Sequence, residues 1–208
     1  MKIMTPSETA ITVGQIGKIQ EILGAALRKS GLQSEPIQQV LETHGDWLTA
    51  ELVAVVRKRV DAMSNMIVQR VKVDRTRTPQ AMLDATGRKQ YTNRKVVDAM
   101  PRGEGVETEV YFFKPRPEAY QNGLISDDRL DAEYEFHGFK PADPYSLGAV
   151  NEADPAFADV HPNATHWKNA DGKWCYTAFR RWSGGRDVDV DGHDYGWGDD
   201  WRFAGVRK

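Results

Sequence analysis

Apolar positions recur every three or four residues through the first third of the chain. Val13, Ile16, Ile19, Ile22, Leu23, Ala26 and Leu27 keep this spacing, which marks one face of a helix. Thr12 and Gln15 form a capping box at its start, and Gly31 ends it. Ser34 caps a second, shorter helix with Pro36 in its first turn. Its apolar side is Ile37, Val40 and Leu41, and Gly45 closes it. A third helix starts near Asp46 or Thr49, with Leu48, Leu52, Val55, Val56 and Met63 as its stripe. Three such helices make a thin bundle with little core of its own. This region is expected to pack on the rest of the chain or on a second copy.

The period shortens to two at Met66. Ile67, Gln69, Val71 and Val73 alternate with Val68, Arg70 and Lys72, a strand pattern. Thr78-Pro79 caps a short helix over 80–85, and 93–100 forms another. The run ETEVYFF (107–113) is a second strand. Ser126 caps a helix that runs to His137 and stops at Gly138, and a helical turn or two follows over 145–151. Residues 165–168 and 173–176 flank Asn169-Ala170-Asp171-Gly172, which reads as a hairpin with a four-residue turn. That register sets Trp167 opposite Trp174, an aromatic cross-strand pair. Five of the six tryptophans lie between 167 and 201, so the main core is expected there. The fold class read from this pattern is α+β. A three-helix N-terminal region (1–65) precedes a mixed domain (66–208) with a Trp-rich antiparallel sheet.

Composition narrows the setting. The chain has 208 residues, is 40% hydrophobic and carries a net charge of -2, enough apolar material for a core. No apolar run is long enough for a membrane span. The start, MKIMTPSETAITVGQ, lacks a leader's apolar core, and the lone Cys175 cannot form an internal disulfide. A cytoplasmic location is expected from these features, and the Asn163-Ala164-Thr165 sequon then carries no meaning. The near-neutral total hides a polarity. Residues 70–95 hold eight bases against two acids, and 118–200 hold seventeen acids against seven bases.

Several segments resemble a family of uncharacterised bacterial proteins that occur in prophages and other mobile elements. The segments are MPRGEG (100–105), KPADPYSL (140–147), VNEADPAFAD (150–159), THWK (165–168), GKWCY (172–176) and WRFAGVRK (201–208). The resemblance spans about residues 70–208. It implies a bacterial or phage setting and carries over no activity and no functional residues.

The chemistry on offer is sparse. Asp187, Asp189, Asp191 and Gly192 match positions 1, 3, 5 and 6 of a calcium loop, but position 12 is Gly198, without a carboxylate. The reading that fits better is a strand with Val188 and Val190 inward and the aspartates toward water. His161, His166, His193 and Cys175 lack zinc-site spacing. Glu133 and His137, four apart on a helix, read as a surface ion pair. No nucleophile motif or phosphate loop occurs, so no catalytic residue is assigned and no cofactor is expected. The basic segment, with Arg75, Arg77, Arg88, Lys89, Arg94 and Lys95 around Tyr91, suits nucleic acid through charge and stacking.

The leading expectation is therefore a non-catalytic intracellular binding protein of a phage or mobile element. It would act through a protein partner, or by self-association of the N-terminal helices, with no membrane involved. One alternative is nucleic-acid binding through residues 70–95. The other is a small hydrolase using His166 and nearby carboxylates, which requires a concave pocket where His166 meets acids.

Overall fold

The computed structural model describes residues 11–208. The first ten residues, on which most of the leader reading rests, lie outside them. The chain divides into two compact units, Met1–Arg57 and Lys58–Lys208, a boundary somewhat earlier than the expected 65/66. The class is α+β.

The first unit begins with α1 (Val13–Lys29). The Thr12–Gln15 capping box is formed in both directions. A second helical run, α2 (Ser34–Ser64), is interrupted at His44, whose φ of -134° and ψ of 20° are not helical. The break falls one residue before Gly45, so the expected second and third helices follow each other with almost no linker. No residue from 11 to 57 is buried.

The second unit is built on β1 (Ile67–Lys72), α3 (Pro79–Ala85), β2 (Lys89–Thr92), α4 (Arg94–Asp98), β3 (Glu107–Phe113) and α5 (Asp127–His137). It continues through β4 (Phe139–Pro141), α6 (Pro144–Ala153), α7 (Phe157–Val160), β5 (Asn163–Lys168), β6 (Trp174–Trp182), β7 (Gly185–Gly192) and β8 (Arg202–Arg207). The strands form a single sheet in the order β1-β3-β8-β5-β6-β7-β2, with β4 also paired to β8. The sheet is mixed and not purely antiparallel, because β5 runs parallel to β8 and β2 parallel to β7.

Alternation along each strand fills two layers. Val110, Phe112, Phe179, Val188, Val190 and Ala204 pack with α3, α4, α6 and α7 through Leu83, Val97, Leu147 and Phe157. Tyr111, Phe113, Ala164, Ala178 and Phe203 pack with Leu130 and Tyr134 of α5, together with Ile125 and Trp197. Helices therefore cover both faces.

Two expectations change here. The core is phenylalanine, valine, leucine and tyrosine. Only Trp197 of the tryptophans is fully buried, while Trp47 and Trp182 are exposed. The hairpin register also moves by one: Trp167 faces Cys175, and Trp174 faces Lys168. The cause is the turn. Asn169 N–H donates to the Lys173 carbonyl at 2.9 Å, and Gly172 takes a left-handed φ of 73°. This is a three-residue loop closed by a glycine bulge. Trp167 and Trp174 consequently lie on opposite faces of the sheet.

Where β4 crosses β8, Gly205 is required for close approach. A Cβ there would lie 2.9 Å from Phe139 Cβ and 3.1 Å from its Cγ. Gly205→Ala is expected to cost about 1–3 kcal/mol from overpacking, lowering Tm by roughly 2–4 °C per kcal/mol. Thermal unfolding followed by circular dichroism checks this; an unchanged Tm contradicts the packing described.

Candidate functional site

The sheet splits between β4 and β5. β5 pairs with β8 only through Asn163 and Ala164, at the start of both strands. Further along, β8 is taken by β4, from Pro141–Gly205 to Phe139–Arg207. The β5 edge beyond Ala164 therefore has no ladder with β8. Thr165 tethers it by donating its hydroxyl to the Ala142 carbonyl at 2.5 Å. A cleft of about 610 Å³ opens beside the split, a size suited to a small ligand. Its walls include Lys140 from β4, His166, Trp167 and Lys168 from β5, Trp174 from β6, and Asp131 from α5.

His166 is 1% exposed and is held on every side. Its Nδ1 lies 2.7 Å from Asp127 Oδ1. Its ring stacks on Trp174 at 4.4 Å and 10°, and Tyr134 stacks at 5.4 Å. Tyr134 is itself fixed by donating to the Ala204 carbonyl. His166 Nε2 is 3.1 Å from Asp131 Oδ1 but is not aligned for a hydrogen bond, so this buried nitrogen has no partner.

Asp127 gathers three donors. Besides His166 it accepts from His193 Nδ1 at 2.5 Å and from Trp197 Nε1 at 3.0 Å. Burial works against its charge, but the hydrogen bonds from His166, His193 and Trp197 prevail and hold the carboxyl well below the usual range. Its place in the first turn of α5 adds the favourable end of the helix dipole. An ionised carboxylate only accepts, so both imidazoles carry their proton on Nδ1. For His166, burial opposes protonation, yet the hydrogen bond to Asp127 and the nearby charge of Asp131 raise its pKa above the ordinary value.

The residues singled out from sequence are dispersed. Arg75 makes a bidentate pair with Asp143, at 2.7 and 3.2 Å. Arg77 meets Glu152 at 2.6 Å. Arg88 is buried, donating to Asn151 Oδ1 and the Pro155 carbonyl. Lys89 sits 4.8 Å over the Tyr91 ring, and Arg94 lies 3.7 Å from Asp98. Lys95 belongs to α4, where its backbone N–H donates to the Asn93 cap. Arg75, Arg77 and Arg88 thus spend their charge or donors on α6 and its cap.

Val188 and Val190 point inward as expected, but the three aspartates do not all face water. Asp187 is buried between the register partners Lys89 and Arg180, Asp189 lies 3.3 Å from Arg180, and only Asp191 is exposed. Among the described residues, no group of three His, Cys, Asp or Glu side chains is placed to hold a metal ion. Glu133 and His137 do not form a surface pair either. Glu133 is buried and chelated by Arg116 at 2.6 Å, while His137 packs on Phe113 at 4.4 Å.

Sequence reading missed Asp127 and weighed His193 only as a zinc ligand. Asp127 lies 39 residues from His166 and 66 from His193, so no local spacing joins them. The available signal was two adjacent acids opening α5. Compared with family models, with curated proteins and with solved structures, the chain matches none.

The ion pair sets a pH window. The lowered Asp127 value gives stability that is present above its unfolded value of 3.8 and is lost as pH falls through the folded one. The raised His166 value gives stability that is full below its unfolded value of 6.5 and is lost as pH rises through the folded one. Asp127→Ala is expected to cost about 3–5 kcal/mol between roughly pH 4 and 6.5, because it strands a buried imidazolium. Urea unfolding across pH checks this. A variant curve parallel to that of the native chain would contradict the assignment.

Proposed function

We propose that the chain is a small hydrolase whose acid–base pair is His166 and Asp131, set in the cleft beside the β4–β5 split. The observation that carries this reading is the placement of His166. Its Nδ1 is fixed by a buried carboxylate, and its unpartnered, buried Nε2 lies 3.1 Å from a second, half-exposed carboxylate that also lines the cleft. Asp127 acts as a positioning residue, as the buried acid does behind a catalytic histidine.

In this scheme water attacks the electrophilic centre of the substrate. Its oxygen forms the new bond, and its proton passes to Asp131. The bond to the leaving group breaks as that group takes the Nε2 proton of His166. Direct transfer from Asp131 to His166 across 3.1 Å restores the starting state. The raised His166 value keeps the acid form available at neutral pH.

His166→Gln and Asp131→Asn are each expected to lower kcat by about 10²–10⁴-fold; half-exposed Asp131 can be replaced without disturbing the buried pair, and His166→Gln is assayed below its own Tm. The native rate should fall at high pH as His166 loses its proton. Assays on chromogenic esters, phosphoesters and glycosides test this. Turnover indifferent to both variants, or none on any class, counts against a hydrolase.

A second reading concerns the first unit, and it carries the protein-contact expectation. Val13, Ile22, Leu41, Val53 and Val55 are all more than half exposed, an apolar surface that suits a partner helix. Self-association of the full chain through α1 and α2 follows from it. Sedimentation should give a dimer that Ile22→Glu with Val55→Glu returns to monomer. A monomeric native chain at all concentrations removes this reading. No helix among the described residues is long and apolar enough to cross a membrane. A cytoplasmic place in a bacterial or phage setting fits the lone cysteine and the family resemblance, and the basic segment keeps nucleic acid as a lesser alternative.

A further inference from the structure

We infer that the cleft binds a phosphoryl group, held by His166 Nε2, Trp167 Nε1, Lys140 and Lys168. The inference rests on the hydrolytic reading of the same cleft and names its substrate class, a phosphate ester.

The argument starts from unmet donors. Two residues that line the cleft each carry a buried ring nitrogen with no hydrogen-bond partner, His166 Nε2 and Trp167 Nε1. Buried donors left unpaired are costly, so two of them in residues bordering one cavity point to an acceptor that a ligand brings. They are consecutive on β5, and their side chains leave opposite faces. Both still border the cleft because the β5 edge runs free of β8 beyond Ala164.

Charge then selects the acceptor. Arg75 and Asp143, also in the wall, neutralise each other at 2.7 Å. Asp131 is engaged with His166. Two lysines remain against Glu104. Lys168 has its nearest carboxylate, Asp128, at 3.9 Å, with both side chains largely exposed, a pair of little strength. No ion pair engages Lys140 among the described residues. Two ammonium groups and two ring N–H donors match a tetrahedral oxyanion. A planar carboxylate would call for a guanidinium fork, and Arg75 is already committed to Asp143.

Asp131 distinguishes phosphate from sulfate. A phosphate monoanion retains a proton that Asp131 can accept, whereas sulfate presents only lone pairs to that carboxylate and is repelled. The bound phosphoryl group would also stand beside the acid–base pair, with its ester oxygen available to the Nε2 proton.

The test uses the full chain titrated with inorganic phosphate, with sulfate, acetate and chloride as arms at matched ionic strength. The readouts are Tm and the ¹⁵N-labelled indole N–H signal of Trp167. Phosphate is expected to raise Tm and to move the Trp167 signal, with sulfate weaker and acetate and chloride inert. Lys140→Ala with Lys168→Ala should weaken phosphate by about tenfold or more, since two charges are lost from the site. Both lysines are exposed, so the double variant keeps its fold. A phosphate response no greater than that of chloride, or one untouched by removal of the lysines, overturns the inference. Phosphate binding without phosphoester turnover would leave the anion site standing and remove the hydrolase. Turnover of uncharged esters without phosphate binding would do the reverse.

Discussion

A single buried carboxylate organises the second unit of this protein. Asp127 opens α5 and accepts hydrogen bonds from β5 through His166 and from the segment before β8 through His193 and Trp197. Three parts of the chain, distant in sequence, thus meet on two oxygen atoms. Charge burial of this kind is tolerated only when nearly every lone pair is used, and here the donors are indoles and imidazoles that also pack as apolar rings. The same contact fixes which imidazole nitrogen faces the cleft. Fold and chemistry depend on it together.

The split sheet supplies the space. β4 is only three residues long, yet it takes the β8 edge that β5 would otherwise continue along. Gly205 lets the Phe139 ring lie against β8, so this short strand can sit close. The opening that results has one lysine on each lip and the His166–Trp174 stack at its wall. A fully zipped sheet would place those groups in a continuous surface with nowhere for a ligand to enter.

Much of the secondary structure was legible because it is written locally. The Thr12–Gln15 box, the Thr78 cap, the ETEVYFF strand and the left-handed Gly138 each announce themselves within a few residues. The tryptophans misled. Their clustering suggested the core, but an indole N–H is costly to bury without a partner, and the one fully buried tryptophan, Trp197, is the one whose N–H meets a carboxylate. The hairpin register failed by one residue because a glycine bulge shortens the loop, and one residue is enough to exchange faces. The site was half legible. His166 could be picked as a candidate, but its orienting acid could not, since only the tertiary fold brings α5 to β5. In the basic segment, charge could be counted from sequence but its use could not: Arg75 and Arg77 are paired with Asp143 and Glu152, and Arg88 is buried.

The central claim is that Asp127 fixes the proton on His166 Nδ1 and favours the charged ring. Nitrogen-15 NMR of the His166 imidazole across pH tests it most directly. The account predicts Nδ1 protonated in the neutral ring, a titration displaced above 6.5, and a return toward that value in Asp127→Asn. A titration not displaced above 6.5, or one that ignores Asp127, would contradict it.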